Sequence, residues 1–241
     1  MCVIAWAWRV HPRWPLAVLA NRDERHARAT APLEWWPDAP EILAGRDLEA
    51  GGTWLGITRS GRFAALTNRA GAKPPDAPSR GGLAVDLLAG RSRAGEAAEA
   101  IAASAGHYAG FNLLIADGEQ LALVSNREPS RVLETGVHGM ANDALDEAVP
   151  KVERLKAVLS AWCEEAREPD VDAWLDVLAD SRPLRGDGPA SAIFVRNADY
   201  GTRSSSIVLC GPDGGLRFVE RRFDADGRPM STANFAFASR R

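Results

Sequence analysis

The sequence is short of several things, and each shortage removes a class of function. It has three cysteines in 241 residues, Cys2, Cys163 and Cys210, odd in number and far apart. They form neither a disulfide framework nor a C-x-x-C metal spacing, and so sparse a set fits a reducing compartment. Lysine is rare, with 3 against 26 arginines, a skew that together with abundant alanine reports GC-rich coding bias. A formal net charge of −3 and no basic stripe leave out the electrostatic footprint of nucleic-acid binding. No apolar run reaches the roughly 18 to 20 residues of a membrane helix. The apolar run at residues 2–8 is too short for a signal peptide and lacks its basic start and its cleavage site. A cytoplasmic protein with no transmembrane segment is expected. There is no G-x-S-x-G, so a serine-hydrolase elbow is excluded. His11, His26, His107 and His138 show no metal-ligand spacing, and no metal is expected.

What is present is an ordinary core. Hydrophobic residues make up 46% and charged residues 25%, enough to bury a core without staples. Residues 2–8 and 16–20, rich in Val, Leu, Ile and Trp, read as a hairpin around a Pro-containing link. Residues 32–40 read as an irregular loop. Residues 53–58 with 62–67, and 111–116 with 121–125, read as two more hairpins around Ser60-Gly61 and Asp117-Gly118. Residues 69–80 read as an exposed loop, and 83–88 and 96–105 as helices. Residues 131–134 and 138–141 read as short strands. Pro150 opens a helix to 165, with Val152, Leu155, Val158, Leu159 and Trp162 at helical spacing, and a second helix spans 171–178. Strands at 191–196, 205–209, 216–223 and 232–237 close the chain. Strands at both ends with helical blocks inside give an α+β class, read as a single domain over 1–241.

The chemistry starts at Cys2. Methionine aminopeptidase removes Met1 ahead of a small residue, which would leave one residue carrying both a thiol and a free α-amine. Their reference pKa values of about 8.5 and 8 let the amine take the proton of its own thiol. The hairpin that carries Cys2 ends in Asn21-Arg22-Asp23-Glu24-Arg25, a polar cluster directly after an apolar strand. A carboxylate there can orient the amine, and an arginine can depress the thiol. Asn68 and Asn142 follow other predicted strands, where an amide can donate to an oxyanion. Arg203, in Tyr200-Gly-Thr-Arg-Ser204, can clamp a carboxylate or phosphate or set the field of the site. Gly51-Gly52-Thr53-Trp54 lacks the features of a phosphate loop and reads as a tight turn.

Together these segments resemble the NRDE family, that of the transport and Golgi organisation protein 2. The resemblance rests on Met1-Cys2-Val-Ile, Leu19-Ala-Asn-Arg-Asp-Glu24, Gly51-Gly-Thr-Trp-Leu-Gly56, Ala65-Leu-Thr-Asn68, Gly110-Phe-Asn-Leu-Leu-Ile-Ala-Asp117 and Tyr200-Gly-Thr-Arg-Ser204, in the family's order. It implies an N-terminal-nucleophile hydrolase fold of four αββα layers with two antiparallel sheets. It is more distantly similar to the choloylglycine hydrolase and penicillin V acylase group, which implies Cys2, Arg22, Asp23, Asn68, Asn142 and Arg203 as the site. In that group the Arg and Asp are two residues apart, whereas Arg22 and Asp23 are adjacent. On a continuing strand they face opposite sides; either the strand bends, or one of them leaves the site and Glu24 takes the carboxylate role.

The resemblance implies hydrolysis of a linear amide or acyl thioester of a small molecule, with no cofactor, and an acyl pocket expected near Trp35, Trp36 and Trp54. Because the family is associated with haem trafficking and acyl-CoA metabolism, the rival is a carrier of haem or acyl-CoA on the same fold. A third reading is a pseudo-enzyme that binds a protein partner.

Overall fold

The structure is a computed structural model describing residues 2–71, 73–183, 191–211 and 213–240. Met1, whose removal the expected chemistry needs, lies outside the described residues. In chain order the described elements are β1 (Val3–Trp8), β2 (Leu16–Arg25), β3 (Thr30–Trp36), β4 (Ala39–Asp47), β5 (Leu55–Thr58), β6 (Phe63–Asn68), α1 (Arg80–Ala89), α2 (Ala94–Ser104), β7 (Phe111–Ala116), β8 (Leu121–Ser125), β9 (Arg131–Val132), β10 (Gly136–Met140), α3 (Pro150–Glu165), α4 (Val171–Leu178), β11 (Tyr200–Cys210), β12 (Gly215–Phe223) and β13 (Pro229–Ala238). They form two compact units, Met1–Arg28 with Thr135–Ala238, and Ala29–Glu134 with Ser239–Arg241.

The first unit is an antiparallel sheet in the order β10-β1-β2-β11-β12-β13. Side chains alternate across a strand, so Val3, Ala5 and Ala7 of β1 share a face with Ala17 and Leu19 of β2. That face packs on α3 and α4 through Val152, Leu155, Leu159, Trp162, Trp174 and Leu175. Each fully buried aliphatic or aromatic side chain here contributes about 1.5–3 kcal/mol. Pro150 opens α3 as its spacing predicts, and Asp170 caps α4 by accepting from the Ala173 N–H at 3.0 Å. His11 stacks on Trp162 with ring centroids 4.2 Å apart, a packing role.

The second unit is an antiparallel sheet in the order β3-β4-β5-β6-β7-β8-β9, with α1 and α2 packed on it through Leu83, Leu87, Ala94 and Ala98. Gly51 turns at φ 75°, and a Cβ on Gly52 would lie 2.4 Å from the backbone carbon of Gly81, so the Gly-Gly pair lets the start of α1 approach the chain directly. A cleft of about 560 Å³ is lined by Arg62, Arg91, Arg93, Asp117, Glu119 and Arg240. Arg62 belongs to the wall itself, because it donates to the carbonyls of Leu87 and Ser92.

Two expected elements differ. Residues 32–40, expected as a loop, contribute β3 and β4, and Trp36 is buried in the core with its indole N–H donating to the Ala44 carbonyl at 3.0 Å. Pairing with β4 overrides the prolines, which sit at a register shift and near strand ends. Residues 191–196, expected as a strand, make just one isolated bridge, Arg196 to Gly201.

Candidate active site

The site residues of the first unit depend on how far β2 runs. The strand does not stop at Ala20 but continues through the charged cluster to Arg25, because β11 pairs with it along its whole length. The adjacent Arg22 and Asp23 therefore face opposite sides of the sheet. Asn21 and Asp23 point toward the side covered by α3 and α4. The Asn21 amide donates to the carbonyls of Leu178 and Ile193 at 2.8 and 2.9 Å and accepts from the Ser205 hydroxyl at 2.7 Å. It is a buried brace between strand and helices rather than a reactive group.

A bulge in β11 matches this arrangement. Thr202 lies opposite Asp23 and Ser204 opposite Arg22, so Arg203 is an extra residue. Thr202 and Ser205 are three apart and would ordinarily face opposite sides; the extra residue puts both on the helix side. The Thr202 hydroxyl donates to Asp23 Oδ1 at 2.7 Å and accepts from the Val195 N–H at 2.9 Å. Arg203 itself donates to the carbonyls of Arg25, His26 and Arg28 and so ties down the chain leaving β2.

Asp23 is buried, and a residue that the sequence reading passed over faces it. Lys151, in the first turn of α3, is 0% exposed and its Nζ lies 3.9 Å from Asp23 Oδ2. Burial pushes the Asp23 carboxyl up to about 6, although the Lys151 charge and the Thr202 hydrogen bond pull it down. The backbone carbonyl of Asp23 accepts from the Tyr200 hydroxyl at 2.9 Å and, more loosely, from the Cys2 thiol at 3.8 Å. No sequence pattern marks Lys151, since a lysine at a helix start ordinarily reads as solvated.

Cys2 just precedes β1. On the β2 side the ladder runs to Val3 opposite Asn21, and Arg22 lies close enough to act on the Cys2 thiol; on the β10 side it ends at Ile4 opposite Met140, two residues before Asn142. Arg22 is buried and its guanidinium lies 3.9 Å from Glu24 on the same face. Burial, and then the Asp23 charge, push the Cys2 thiol up, while Arg22 pulls it down. Cys163 and Cys210 are pushed up by burial to about 11 and 12, so neither is a standing thiolate. Asn68 closes β6 of the second unit, opposite Phe111. The first unit thus brings together Cys2, Arg22 and Asp23, with Asn142 two residues past the end of β10, while Arg203 donates to backbone carbonyls. Among the described residues no three His, Cys, Asp or Glu side chains converge as metal ligands, and no helix is long and apolar enough to cross a membrane.

Comparison with known proteins decides the family. The family model described as Transport and Golgi organisation 2 matches residues 1–225. The chain belongs to the Transport and Golgi organisation 2 family. Relatives in this family include the mouse homolog (Mus musculus), 31% identical over 98% of this chain and 99% of the relative. The Drosophila melanogaster protein is 30% identical over 91% of each. Among solved structures, the Caenorhabditis elegans N-acylethanolamine-hydrolyzing acid amidase ortholog superposes with a TM-score of 0.52 at 11% identity, covering 86% of this chain and 92% of that one. A mutant of the conjugated bile acid hydrolase from Clostridium perfringens gives 0.53 at 10% identity over 99% and 98%. At such identities the likeness establishes the fold. This member of the Transport and Golgi organisation 2 family has the N-terminal-nucleophile hydrolase fold, α+β with two antiparallel sheets.

Proposed function

We propose that the protein is an N-terminal cysteine amidase that cleaves a linear N-acyl amide, or an acyl thioester of the same shape. The observation that carries this reading is the start of β1, where the Cys2 thiol meets the Asp23 carbonyl and Arg22 acts on the same sulfur. The fold neighbours are named for hydrolysing N-acylethanolamines and conjugated bile acids, which supports a small acyl substrate.

Loss of Met1 frees the Cys2 amine. With its thiol pushed up, Cys2 holds no ready thiolate and needs a base, and the amine is that base. The sulfur attacks the carbonyl carbon as the thiol proton passes to the amine, and the carbonyl oxygen becomes an oxyanion. Asn142 hydrogen-bonds that oxygen. The intermediate collapses, the carbon–nitrogen bond breaks, and the ammonium returns its proton to the leaving nitrogen. Water then attacks the thioester, releasing the carboxylic acid and restoring the thiol. Asp23 orients the ammonium, and Arg22 stabilises negative charge on sulfur. Arg203 acts at one remove by fixing the end of β2. No cofactor enters these steps.

The test uses the full chain with nothing added ahead of Met1. Intact mass should show loss of Met1, and the protein should hydrolyse members of a panel of N-acyl amides and acyl-CoA thioesters. Cys2→Ala should abolish turnover, and Asn142→Ala should lower kcat by about 100- to 1,000-fold. Retention of Met1, or equal turnover by wild type and Cys2→Ala, would sink the reading. Haem or acyl-CoA binding that survives Cys2→Ala, in a protein with no turnover on the panel, would favour a carrier instead.

A further inference from the structure

We propose that Lys151 is a positioning residue of the Cys2 site, holding Asp23 as a charged, fixed carboxylate for the amine of Cys2. The role of that amine rests on the amidase reading; the placement of the lysine does not.

Lys151 occupies a place that opposes a cation twice. It is 0% exposed, so its ammonium group has lost water. It also lies next to Pro150 at the start of α3, where the unpaired N–H groups and the helix dipole favour an anion. An apolar side chain of the same length would fill the volume without either cost. The other lysines avoid this: Lys73 is exposed and Lys156 keeps a fifth of its side chain in water. A cation kept at so unfavourable a position needs a partner, and the carboxylate facing it is Asp23.

Asp23 in turn is held from every element packed on it. Lys151 faces it from α3, the Thr202 hydroxyl meets its carboxylate from β11, and the Tyr200 hydroxyl meets its carbonyl. From the start of β1 comes the Cys2 thiol. Its neighbours in β2, Arg22 and Glu24, point to the other face. A carboxyl this deeply buried without a cation would stay protonated at neutral pH and could not balance an ammonium group. With Lys151 in place it sits near the usual working range, at about 6.

The experiment follows carboxyl ¹³C shifts of labelled aspartate in the Met1-free protein as pH is varied, for wild type, Lys151→Met and Lys151→Arg. In parallel, the rate of Cys2 alkylation by iodoacetamide is read by peptide mass spectrometry. The Asp23 midpoint should rise by about one pH unit or more in Lys151→Met, a tenfold or larger change in proton affinity, and be largely restored in Lys151→Arg. The wild-type Cys2 alkylation profile should show an inflection at the Asp23 midpoint, which moves with it in Lys151→Met and vanishes in Asp23→Asn. If Lys151→Met does not fold, Lys151→Gln is read the same way. An Asp23 midpoint unmoved by these changes, or a wild-type Cys2 profile with no inflection there, would overturn the proposal. Neither readout needs turnover, so failure to find an amide substrate would count against the amidase reading alone.

Discussion

Two aspartates of the first unit meet lysines of the same helix and are driven in opposite directions. Asp23 faces Lys151 at 3.9 Å in a fully buried setting, and its carboxyl is pushed up to about 6. Asp146 faces Lys156 at 3.0 Å with its side chain 32% exposed. Burial raises it too, but His138 Nδ1 at 2.7 Å, the Gly139 N–H at 3.0 Å and Lys156 outweigh burial and hold it at about 2. A lysine nearby therefore does not fix the sign. Close donors and access to water do, and α3 supplies a structural ion pair at one turn and a poised carboxylate at another.

The sharpest way to break this contrast is to remove each lysine. Lys151→Met should cost about 3–5 kcal/mol at pH 8 in urea unfolding, because it strands a buried charge. Lys156→Met should cost less than about 1 kcal/mol, as partly exposed pairs do. The gap should narrow at pH 5, where Asp23 takes a proton. Equal costs would mean that the two sites do not differ in kind.

Next in size is the pH dependence of Asp23 itself. Its carboxyl titrates at about 6 in the folded chain against 3.8 as the ordinary value, so the folded state binds the extra proton between those values. Its contribution to stability is complete below about pH 4 and falls by roughly 3 kcal/mol as pH rises through 6. That limb should be absent from the profile of Asp23→Asn, whatever the variant's offset. Thr202→Val removes a hydroxyl bonded to both Asp23 and Val195 and should cost about 2 kcal/mol at neutral pH, with the Asp23 midpoint rising. The smallest change belongs to Asp146→Asn. A lowered carboxyl stabilises above about pH 4 and loses that as pH falls toward 2, so the variant should lag wild type by about 1 kcal/mol at pH 6 and match it at pH 2.

What the sequence made legible was what local pattern controls. Pro150 and the spacing of Val152, Leu155, Leu159 and Trp162 give α3 its bounds, and Asp117-Gly118 gives the β7–β8 hairpin. Cys2 could be nominated from its place after Met1, and Arg22, Asp23 and Asn142 because they follow apolar runs and match the motifs of the family the chain resembles. The rest depends on partners distant in the chain. The charged half of β2 is a strand only because β11 pairs with it. The Trp35-Trp36 stretch is a strand only because β4 does the same. The bracing of α4 by Asn21 and the tie from Arg203 to the carbonyl of Arg25 likewise join segments far apart in the chain. Lys151 was invisible because burial, not residue type, makes it unusual.

The extra residue in β11 also makes that strand vulnerable to a lesion that no substitution imitates. Replacing Arg203 leaves the count of residues along the strand intact. Deleting it would leave Thr202 opposite Asp23 in a regular ladder, but inserting one more residue beside it would bring Thr202 opposite Glu24 and swing its hydroxyl to the wrong side, while Ser205 stayed against Asn21. The spacing between these two hydroxyls is thus a ruler three residues long laid against one of two. A relative one residue longer here would keep every nameable side chain and still hold its carboxylate differently, so insertions between Tyr200 and Ser205 are the variants to read first.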